Sequence, residues 1–118
     1  TQSLGKNLHI LAKTPSTNLL GLTLAGSGEP HGTVILAEQQ TAGKGRLGRS
    51  WISPPNKNIY CSVILKKPRL LEHLSWVPLV TGLAIAEAIQ TNHSVALSLK
   101  WPNDLFLEGK KLVIQQGL

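Results

Sequence analysis

The segment with the strongest chemical signal is a glycine-rich basic loop, Gly43-Lys44-Gly45-Arg46-Leu47-Gly48-Arg49-Ser50. Its glycines allow a ligand to approach the backbone closely, and its cations, Lys44, Arg46 and Arg49, suit a phosphate or a carboxylate. Because glycine loses much entropy on ordering, we expect the loop to stay mobile until an anionic ligand binds. Trp51, directly after the loop, has a flat face suited to stacking on a base; its alternative role is to fill the core.

Two nucleotide-binding templates match the spacing of this loop but not its context. The Rossmann pattern G-x-G-x-x-G fits residues 43–48, and the P-loop pattern fits residues 43–50 except that Arg49 replaces the lysine. Both templates require a helix directly after the glycines, because the phosphates lie at the N-terminus of that helix. The following residues, Trp51-Ile52-Ser53-Pro54-Pro55, cannot begin one. The loop is therefore neither of these sites.

The distribution of charge supports an anionic partner. The 118 residues include 12 Lys and Arg against 6 Asp and Glu, for a net charge of +6, and residues 44–69 contain seven of the cations and no acidic residue. A solvated face and a nucleic-acid-binding surface with Trp51 and Tyr60 remain open as alternatives. A hydrophobic content of 42% argues against a disordered chain. The longest apolar tract, residues 76–89, is shorter than the ~20 residues that span a bilayer, so we predict no membrane insertion.

The single cysteine, Cys61, excludes an internal disulfide. It lies in the apolar run 59–65, where we expect a small buried side chain rather than a nucleophile. A lone thiol suits a reducing compartment, and the start Thr1-Gln2-Ser3 has no signal-peptide pattern. We therefore predict a cytoplasmic protein.

The elements that position the loop follow from periodicity and from cap residues. Ser16 is suited to cap a helix that ends near Gly26. Ser75 is suited to cap a second helix, apolar nearly all round, which is expected to run to about Gln90 at the centre of the core. The prolines after Trp51 predict a loop over residues 51–58, and Glu108-Gly109 predicts a two-residue hairpin turn. Strands are predicted over residues 8–12, 33–37 (buried on both faces), 59–65, 97–101, 105–107 and 111–114. Helices and strands alternate without a linker, which indicates one α/β or α+β sheet domain.

Three pieces of the chain together resemble biotin protein ligases. The segment from Gly43 to Pro54 is similar to the glycine-arginine loop of that family, and Lys100-Trp101-Pro102-Asn103-Asp104 matches its second signature. Ser16-Thr17-Asn18 and Gln40 fall where the family contacts biotin. The resemblance covers residues 12–113. It implies an α+β fold like that of biotin ligases and class II aminoacyl-tRNA synthetases, with a mixed β-sheet packed with helices.

The activity implied by the resemblance is ligation through an adenylate. Biotin and ATP, with Mg²⁺, give biotinyl-5′-AMP and pyrophosphate, and biotin then passes to a lysine of a biotin carboxyl carrier protein. Joining a carboxylate to a phosphate brings two anions together, so the site must neutralise charge and exclude water. No protein nucleophile and no tightly bound cofactor are needed, and no Ser, His and Asp constellation is visible.

The resemblance also assigns roles to individual residues, with Arg46 and Lys111 as the catalytic pair. Asp104 is the predicted Mg²⁺ ligand; without the resemblance, Asn103 and Asp104 form an Asx turn and Lys111 is an exposed strand lysine. The predicted biotin contacts are Ser16, Thr17, Asn18, Gln40, Gly43, Lys44, Gly45, Arg46 and Lys111. The predicted nucleotide contacts are Arg46, Arg49, Trp51, Asn103 and Lys111.

The sequence departs from the family pattern at two positions and in length. Lys44 stands where the family most often has arginine, and Ile114 replaces a glycine, so its branched side chain should intrude on the pocket. We expect the chain to be the N-terminal portion of the catalytic domain, incomplete at the C-terminus, without a winged helix-turn-helix or a C-terminal SH3-like barrel. We therefore predict weak or lost activity and no sequence-specific DNA binding. The missing strands would leave a sheet edge and apolar surface exposed, so we also predict a homodimer or another partner that covers them.

Three alternatives to a biotin ligase remain open at this point. An enzyme that transfers lipoate or octanoate has the same fold. A basic surface with interleaved aromatic residues could bind single-stranded nucleic acid. A non-catalytic fragment could bind biotin or the carrier domain without chemistry.

Overall fold

The structure is a computed structural model that describes residues 4–44, 48–66, 76–94, 97–100 and 104–114. The chain divides into two compact units, Thr1–Lys67 and Pro68–Leu118. In chain order, the elements of the described residues are β1 (Leu8–Leu11), α1 (Thr17–Gly26), β2 (Val34–Ala37), β3 (Gln40–Lys44), β4 (Ser50–Ser53), β5 (Tyr60–Val63), α2 (Val77–His93), β6 (Ser98–Lys100), β7 (Asp104–Leu107) and β8 (Lys110–Ile114).

The first unit contains a mixed sheet in the order β1-β2-β5. The central strand β2 pairs with β1 in parallel and with β5 in antiparallel orientation. Helix α1 packs on the face that carries Ile35, which is fully buried. Gly21 lets the helix approach this face, because a Cβ added there would lie 3.5 Å from the Ile35 Cδ1 atom. Mixed strand pairing with a packed helix confirms the predicted fold class.

The second face of this sheet differs from the prediction that β2 is buried on both sides. Val34 and Leu36 are only half-buried. Around them, Leu8 and Ile10 of β1 are 50% and 69% exposed, and Val63 of β5 is 40% exposed. A continuous apolar strand needs a packed layer on each side to be buried on each side, and among the described residues α1 supplies that layer on one face only.

Helix α1 begins where its cap residue predicts. The Ser16 hydroxyl accepts a hydrogen bond from the Leu19 backbone N–H at 3.2 Å, which satisfies one of the free donors of the first turn. The helix ends at Gly26, and Gly28 then adopts a φ of +99°, a conformation that glycine enters without strain. The chain is thereby returned to the sheet at β2.

Strands β3 and β4 form an antiparallel hairpin, so the predicted loop over residues 51–58 is wrong in its first part. Gln40 pairs with Ser53, Gly43 with Trp51, and Lys44 with Ser50. The register shifts between Gln40 and Gly43, which marks a β-bulge. The ladder ends at Ser53 because Pro54 and Pro55 lack the N–H that continued pairing requires. The prolines therefore terminate the strand rather than prevent it.

The outer side of β3 is tied to the segment before α1. The Thr41 N–H donates to the Thr14 carbonyl at 3.0 Å, and the Ala42 N–H donates to the Pro15 carbonyl at 2.8 Å. Thr14 also bridges Gln40 in parallel register. These bonds place the start of β3 beside the first turn of α1.

The second unit contains α2 and an antiparallel sheet in the order β6-β7-β8. Pro78 lies in the first turn of α2, as predicted. The N-cap position is Trp76, which makes no side-chain capping bond, and the helix ends at His93 rather than near Gln90. The predicted cap, Ser75, lies outside the described residues. Glu108 and Gly109 connect β7 to β8 with φ angles of +51° and +80°, which confirms the predicted hairpin turn.

The burial expected for the second helix is wrong. Val80 and Leu83 of α2 are 60% and 54% exposed, and Gly82 is the buried residue among those described in this helix. Helix α2 packs against β6 and β7 through part of its surface. An apolar composition buries a helix only where a partner surface covers it. No helix in the described parts of the chain is both long and apolar enough to cross a membrane.

Candidate functional site

Gln40 joins the start of β3 to the start of α1. Its side-chain oxygen, Oε1, accepts a hydrogen bond from the Thr17 backbone N–H at 2.8 Å and another from the Thr17 hydroxyl at 3.1 Å. The Thr17 N–H belongs to the first turn of the helix, where backbone donors have no partner within the helix. Gln40 therefore caps α1 from a different strand, and the backbone donor identifies which end of the amide is the oxygen.

The hydrogen bonds continue on both sides of this contact. The Ser62 hydroxyl donates to the Thr17 hydroxyl oxygen at 2.8 Å, and the Gln40 Nε2 atom donates to the Ser53 hydroxyl at 3.1 Å. Ser53 donates in turn to the Trp51 carbonyl at 3.3 Å. We call Ser62, Thr17, Gln40 and Ser53 the Gln40 network. It links α1, β3, β4 and β5, and both Thr17 and Ser53 are 4% exposed.

Gly43 is enclosed by the same network. A Cβ atom at this position would lie 2.7 Å from the Ser53 hydroxyl, 2.7 Å from the Trp51 carbonyl oxygen and 3.1 Å from the Gln40 Nε2 atom. Side chains do not tolerate such distances, so any substitution must displace the hydrogen-bonding groups or the backbone of β4. The predicted site residues Thr17, Gln40 and Gly43 are thus brought together, and glycine is required for their packing.

An open pocket of about 510 Å³ lies along the β3–β4 hairpin. Trp51 lines it and is 45% exposed, so this residue is not the core filler that the sequence left as an alternative. Its indole face is available for stacking. The pocket is lined by Gln39, Gln40, Thr41, Ala42, Gly43, Ser50, Trp51, Ile52, Ser53 and Pro54.

The two described cations of the glycine-rich loop lie at the far end of the hairpin. Lys44 ends β3 opposite Ser50, and Arg49 directly precedes β4. Both side chains are exposed, and neither forms an ion pair with an acidic residue in the described parts of the chain. Gly45 and Arg46 lie outside the described residues. Of the other predicted biotin contacts, Ser16 caps α1 and Asn18 is half-buried in its first turn.

The predicted site residues of the second unit fall on its β-hairpin. Asp104 begins β7 and pairs with Ile114, and Lys111 of β8 pairs with Phe106. For Asp104, Lys111 and Ile114 the structure describes the strand but not the side chain, and Asn103 lies outside the described residues. Their roles toward ATP, Mg²⁺ and biotin therefore remain predictions.

Cys61 is exposed rather than buried as the sequence predicted. It neighbours Ser62 on β5, and alternation along a strand turns its side chain away from the Gln40 network. Although the residue is exposed, partial burial of the thiol raises the pKa of Cys61, which disfavours the thiolate that a nucleophile requires. Within the described ranges, no group of three or more His, Cys, Asp or Glu residues could hold a metal ion.

Ser53 and Ser62 were not predicted as site residues. Ser62 is a polar residue inside the apolar run 59–65, and this break in the pattern was the available signal. Ser53 was assigned to a loop, so its pairing with Gln40 could not be anticipated. Both contacts join residues far apart in the sequence.

Comparison with known proteins places this site in context. Residues 10–114 match the sequence model of the biotin/lipoate A/B protein ligase family. The bifunctional ligase/repressor BirA of Bacillus subtilis is 32% identical over 113 residues, which are 96% of this chain and 35% of that protein. The biotin–acetyl-CoA-carboxylase ligase of Mycobacterium tuberculosis is 37% identical over 91% of this chain and 42% of its own length.

Solved structures give the same result for the fold. The biotin protein ligase of Aquifex aeolicus in complex with biotin and ATP aligns with a TM-score of 0.77 and 39% identity, over 91% of this chain and 44% of that one. The Leishmania major ligase in complex with biotinyl-5-AMP aligns with a TM-score of 0.71 and 30% identity, over 91% of this chain and 49% of that one. The chain thus spans less than half the length of these relatives. The match over residues 10–114 shows that the chain belongs to the biotin/lipoate A/B protein ligase family.

Proposed function

We propose that this chain forms the biotin-binding, N-terminal portion of the catalytic domain of a biotin protein ligase. The complete enzyme would join biotin to ATP and transfer biotin to a lysine of a biotin carboxyl carrier protein. The observation that carries the proposal is the Gln40 network, which holds neutral polar groups at a pocket that Trp51 also lines. Relatives of this chain were solved with biotin and ATP, or with biotinyl-5-AMP.

The proposed reaction has two steps. A carboxylate oxygen of biotin attacks the α-phosphorus of ATP, the bond to the β-phosphate bridge breaks, and pyrophosphate leaves with biotinyl-5′-AMP as product. The amine of the carrier lysine then attacks the biotinyl carbonyl carbon, loses a proton and expels AMP. No covalent bond to this chain is formed in either step. The protein's tasks are to orient the reactants, to neutralise charge and to exclude water from the mixed anhydride.

The described residues support a division of these tasks. Uncharged groups near Gln40 suit the neutral ureido ring of biotin, which presents both hydrogen-bond donors and an acceptor. Lys44 and Arg49 have no acidic partner among the described residues, so their charge is free to meet a phosphate or the biotin carboxylate. The exposed indole of Trp51 suits adenine. Arg46 and Lys111 complete the proposed charge neutralisation.

Magnesium enters this proposal bound to ATP, as part of the substrate, with Asp104 as its proposed ligand. The proposed location is the cytoplasm, where ATP is abundant and a lone thiol such as Cys61 stays reduced.

A homodimer remains a prediction, and sedimentation velocity of the purified chain tests it. A single species at the monomer mass over a range of concentrations contradicts it.

Isothermal titration calorimetry on the purified chain tests the function. We expect biotin to bind and prior saturation with ATP and Mg²⁺ to tighten it. Gln40→Ala should weaken biotin binding about tenfold or more, because Thr17 and Ser53 then lose their shared partner. Gln90→Ala, which truncates an exposed glutamine of α2, is the matched control and should leave biotin affinity unchanged. Absence of any biotin binding by the wild-type chain contradicts the proposal.

Lipoate transfer is the second candidate, because the matched family includes lipoate as well as biotin ligases. The two ligands differ where the Gln40 network lies: biotin has a polar ureido ring, whereas lipoate has an apolar dithiolane. A thermal-shift comparison separates them. We expect biotin, and not lipoate, to raise the melting temperature of the wild-type chain. A larger shift with lipoate would reverse the assignment.

A further inference from the structure

Two serines, Ser62 and Ser53, lie at the two ends of the Gln40 network. Ser62 contacts the Thr17 hydroxyl, and Ser53 contacts the Gln40 amide nitrogen. Neither belongs to the residues that the sequence or the family resemblance assigned to biotin. Their side chains come from β5 and β4, two different sheets of the first unit.

The donors and acceptors of Thr17 and Gln40 fix the direction of the hydrogen bond from Ser62. The Gln40 oxygen has two acceptor sites, and the Thr17 N–H and hydroxyl occupy both. The Thr17 hydroxyl has a single proton, which it donates to Gln40, so it can meet Ser62 only as an acceptor. If Thr17 gave its proton to Ser62 instead, two oxygens without a proton would face each other at 3.1 Å. Donation by Ser62 therefore keeps the Thr17 proton on Gln40.

The other end of the amide is held in the same way. One of the two Nε2 protons of Gln40 goes to Ser53, whose own proton goes to the Trp51 carbonyl. One Nε2 proton remains, and Gln40 lines the open pocket. A carboxamide held at both ends cannot rotate to exchange its donor for its acceptor. Gln40 thus retains one side-chain N–H donor, and no acceptor site, for a ligand in the pocket that it lines.

We propose that Ser62 and Ser53 are positioning residues that hold Gln40 in one orientation, so that its free N–H donates to an acceptor atom of the ligand. This inference rests on the proposed function, because biotin is the ligand on which the orientation acts. Ser62 is not among the described residues that line the pocket, so it acts through Thr17. Ser53 lines the pocket, but its hydroxyl already bonds to Gln40 and to the Trp51 carbonyl, so its proposed role is to hold Gln40. Loss of either serine should weaken recognition of biotin through the orientation of Gln40.

Calorimetry with biotin on the purified chain tests the proposal. We expect Ser62→Ala and Ser53→Ala each to weaken biotin about 3- to 10-fold, the effect of one neutral hydrogen bond. The matched control is Ser27→Ala, which removes a serine hydrogen bond of 3.0 Å to the Thr23 carbonyl at the end of α1. Ser27→Ala should leave biotin affinity unchanged even if it lowers the melting temperature as much as Ser62→Ala and Ser53→Ala do.

A double-mutant cycle separates positioning from general stability. Thr17→Val removes the hydroxyl through which Ser62 acts, so Ser62→Ala in that background should change biotin affinity by less than twofold. An equal effect of Ser62→Ala in both backgrounds overturns the proposal. So does an affinity within twofold of wild type for the folded Ser62→Ala and Ser53→Ala chains.

The proposed function and this inference fail in different ways. If the wild-type chain binds no biotin, the proposed function is wrong. The role of the serines is then tested on the ligand-free protein. Nuclear magnetic resonance measures exchange of the Gln40 side-chain amide protons. Faster exchange in Ser62→Ala and Ser53→Ala than in Ser27→Ala supports the positioning role; equal rates in all three overturn it.

Discussion

The two ends of the β3–β4 hairpin differ in how completely their polar groups are already bonded. At one end, Gln40 and Ser53 pair across the strands, Ser53 is 4% exposed, and both side chains have protein partners. At the other end, Lys44 and Arg49 are exposed and have no ion pair within the described residues. We call the uncharged end with Gln40 and Ser53 the bonded end of the hairpin, and the basic end with Lys44 and Arg49 the open end.

Under the proposed function, the two ends would recognise different parts of one ligand in different ways. Neutral hydrogen-bonding groups recognise a ligand through the direction of their bonds, so they must be oriented before the ligand binds. Where such a group is buried, a ligand that leaves it without a hydrogen-bond partner binds less well. Charged groups attract an anion from any direction, and leaving them in water until it binds avoids the cost of desolvating them. We expect the bonded end to control biotin affinity and the open end to control affinity for the phosphates.

The largest effect is expected at the predicted catalytic residue Arg46, which lies between Lys44 and Arg49 in the sequence. Arg46→Ala removes a charge-assisted hydrogen bond worth about 1.5–3 kcal/mol, so biotinyl-5′-AMP should bind about 10- to 150-fold more weakly. Because the contact is ionic, the difference from wild type should shrink as salt is raised. Calorimetry at low and high salt measures both effects. Unchanged adenylate affinity would remove Arg46 from the site.

Breaking the bonded end should mainly cost stability and biotin affinity. Gly43→Ala places a Cβ 2.7 Å from the Trp51 carbonyl oxygen and from the Ser53 hydroxyl. Overpacking of this kind costs about 1–3 kcal/mol, measured by urea unfolding. Gly21→Ala is the matched control, because its Cβ would meet Ile35 Cδ1 at 3.5 Å, an ordinary contact. Equal stability of the two variants would show that the Gln40 network does not require glycine.

A smaller loss is expected when the helix that presents Thr17 is weakened. Ser16→Ala removes the hydroxyl that accepts from the Leu19 N–H, a capping bond typically worth about 1 kcal/mol. Biotin affinity should fall only slightly, because the Thr17 N–H still bonds to Gln40. Urea unfolding and biotin calorimetry on the same variant test this pair of outcomes. A biotin loss as large as that of Gln40→Ala would show instead that Ser16 contacts the ligand.

The smallest effect is expected at Trp51, on the wall of the pocket. Trp51→Ala should weaken ATP about 2- to 10-fold through lost stacking and leave biotin affinity nearly unchanged. Trp76→Ala is the matched control, because Trp76 is 58% exposed next to α2 and belongs to the other unit of the chain. A greater loss of affinity for biotin than for ATP would mean that Trp51 takes part in biotin binding rather than in stacking on adenine.

Features with local causes were predictable from the sequence. Ser16 caps α1, Pro78 lies in the first turn of α2, and Glu108-Gly109 forms the turn between β7 and β8, each as predicted. In each case the responsible residues lie within a few positions of the element they start or end. Backbone donors and φ preferences act over that range, so no distant partner is needed.

Features that depend on distant partners were missed or wrong. Strand β4 escaped prediction because Pro54 and Pro55 dominate the local pattern, whereas pairing with β3 decides the structure up to Ser53. Cys61 was expected to be buried from its apolar neighbours, but the strand turns it to a face that the described residues leave exposed. Local sequence patterns reflect a residue's neighbours along the chain, whereas strand pairing and burial depend on residues that are distant in the sequence.

The sequence alone predicted the helices and strands outside the β3–β4 hairpin, the excess of positive charge around the glycine-rich loop and the resemblance to biotin ligases, all of which depend on residue types and spacing. Only the tertiary structure decided that Thr17 and Gln40 bond to each other, that Ser53 and Ser62 complete their network, and that Gly43 has no room for a side chain. These contacts bridge up to 45 positions of sequence. They exist because strand pairing and helix packing bring those groups within hydrogen-bond distance, where burial makes each partner necessary.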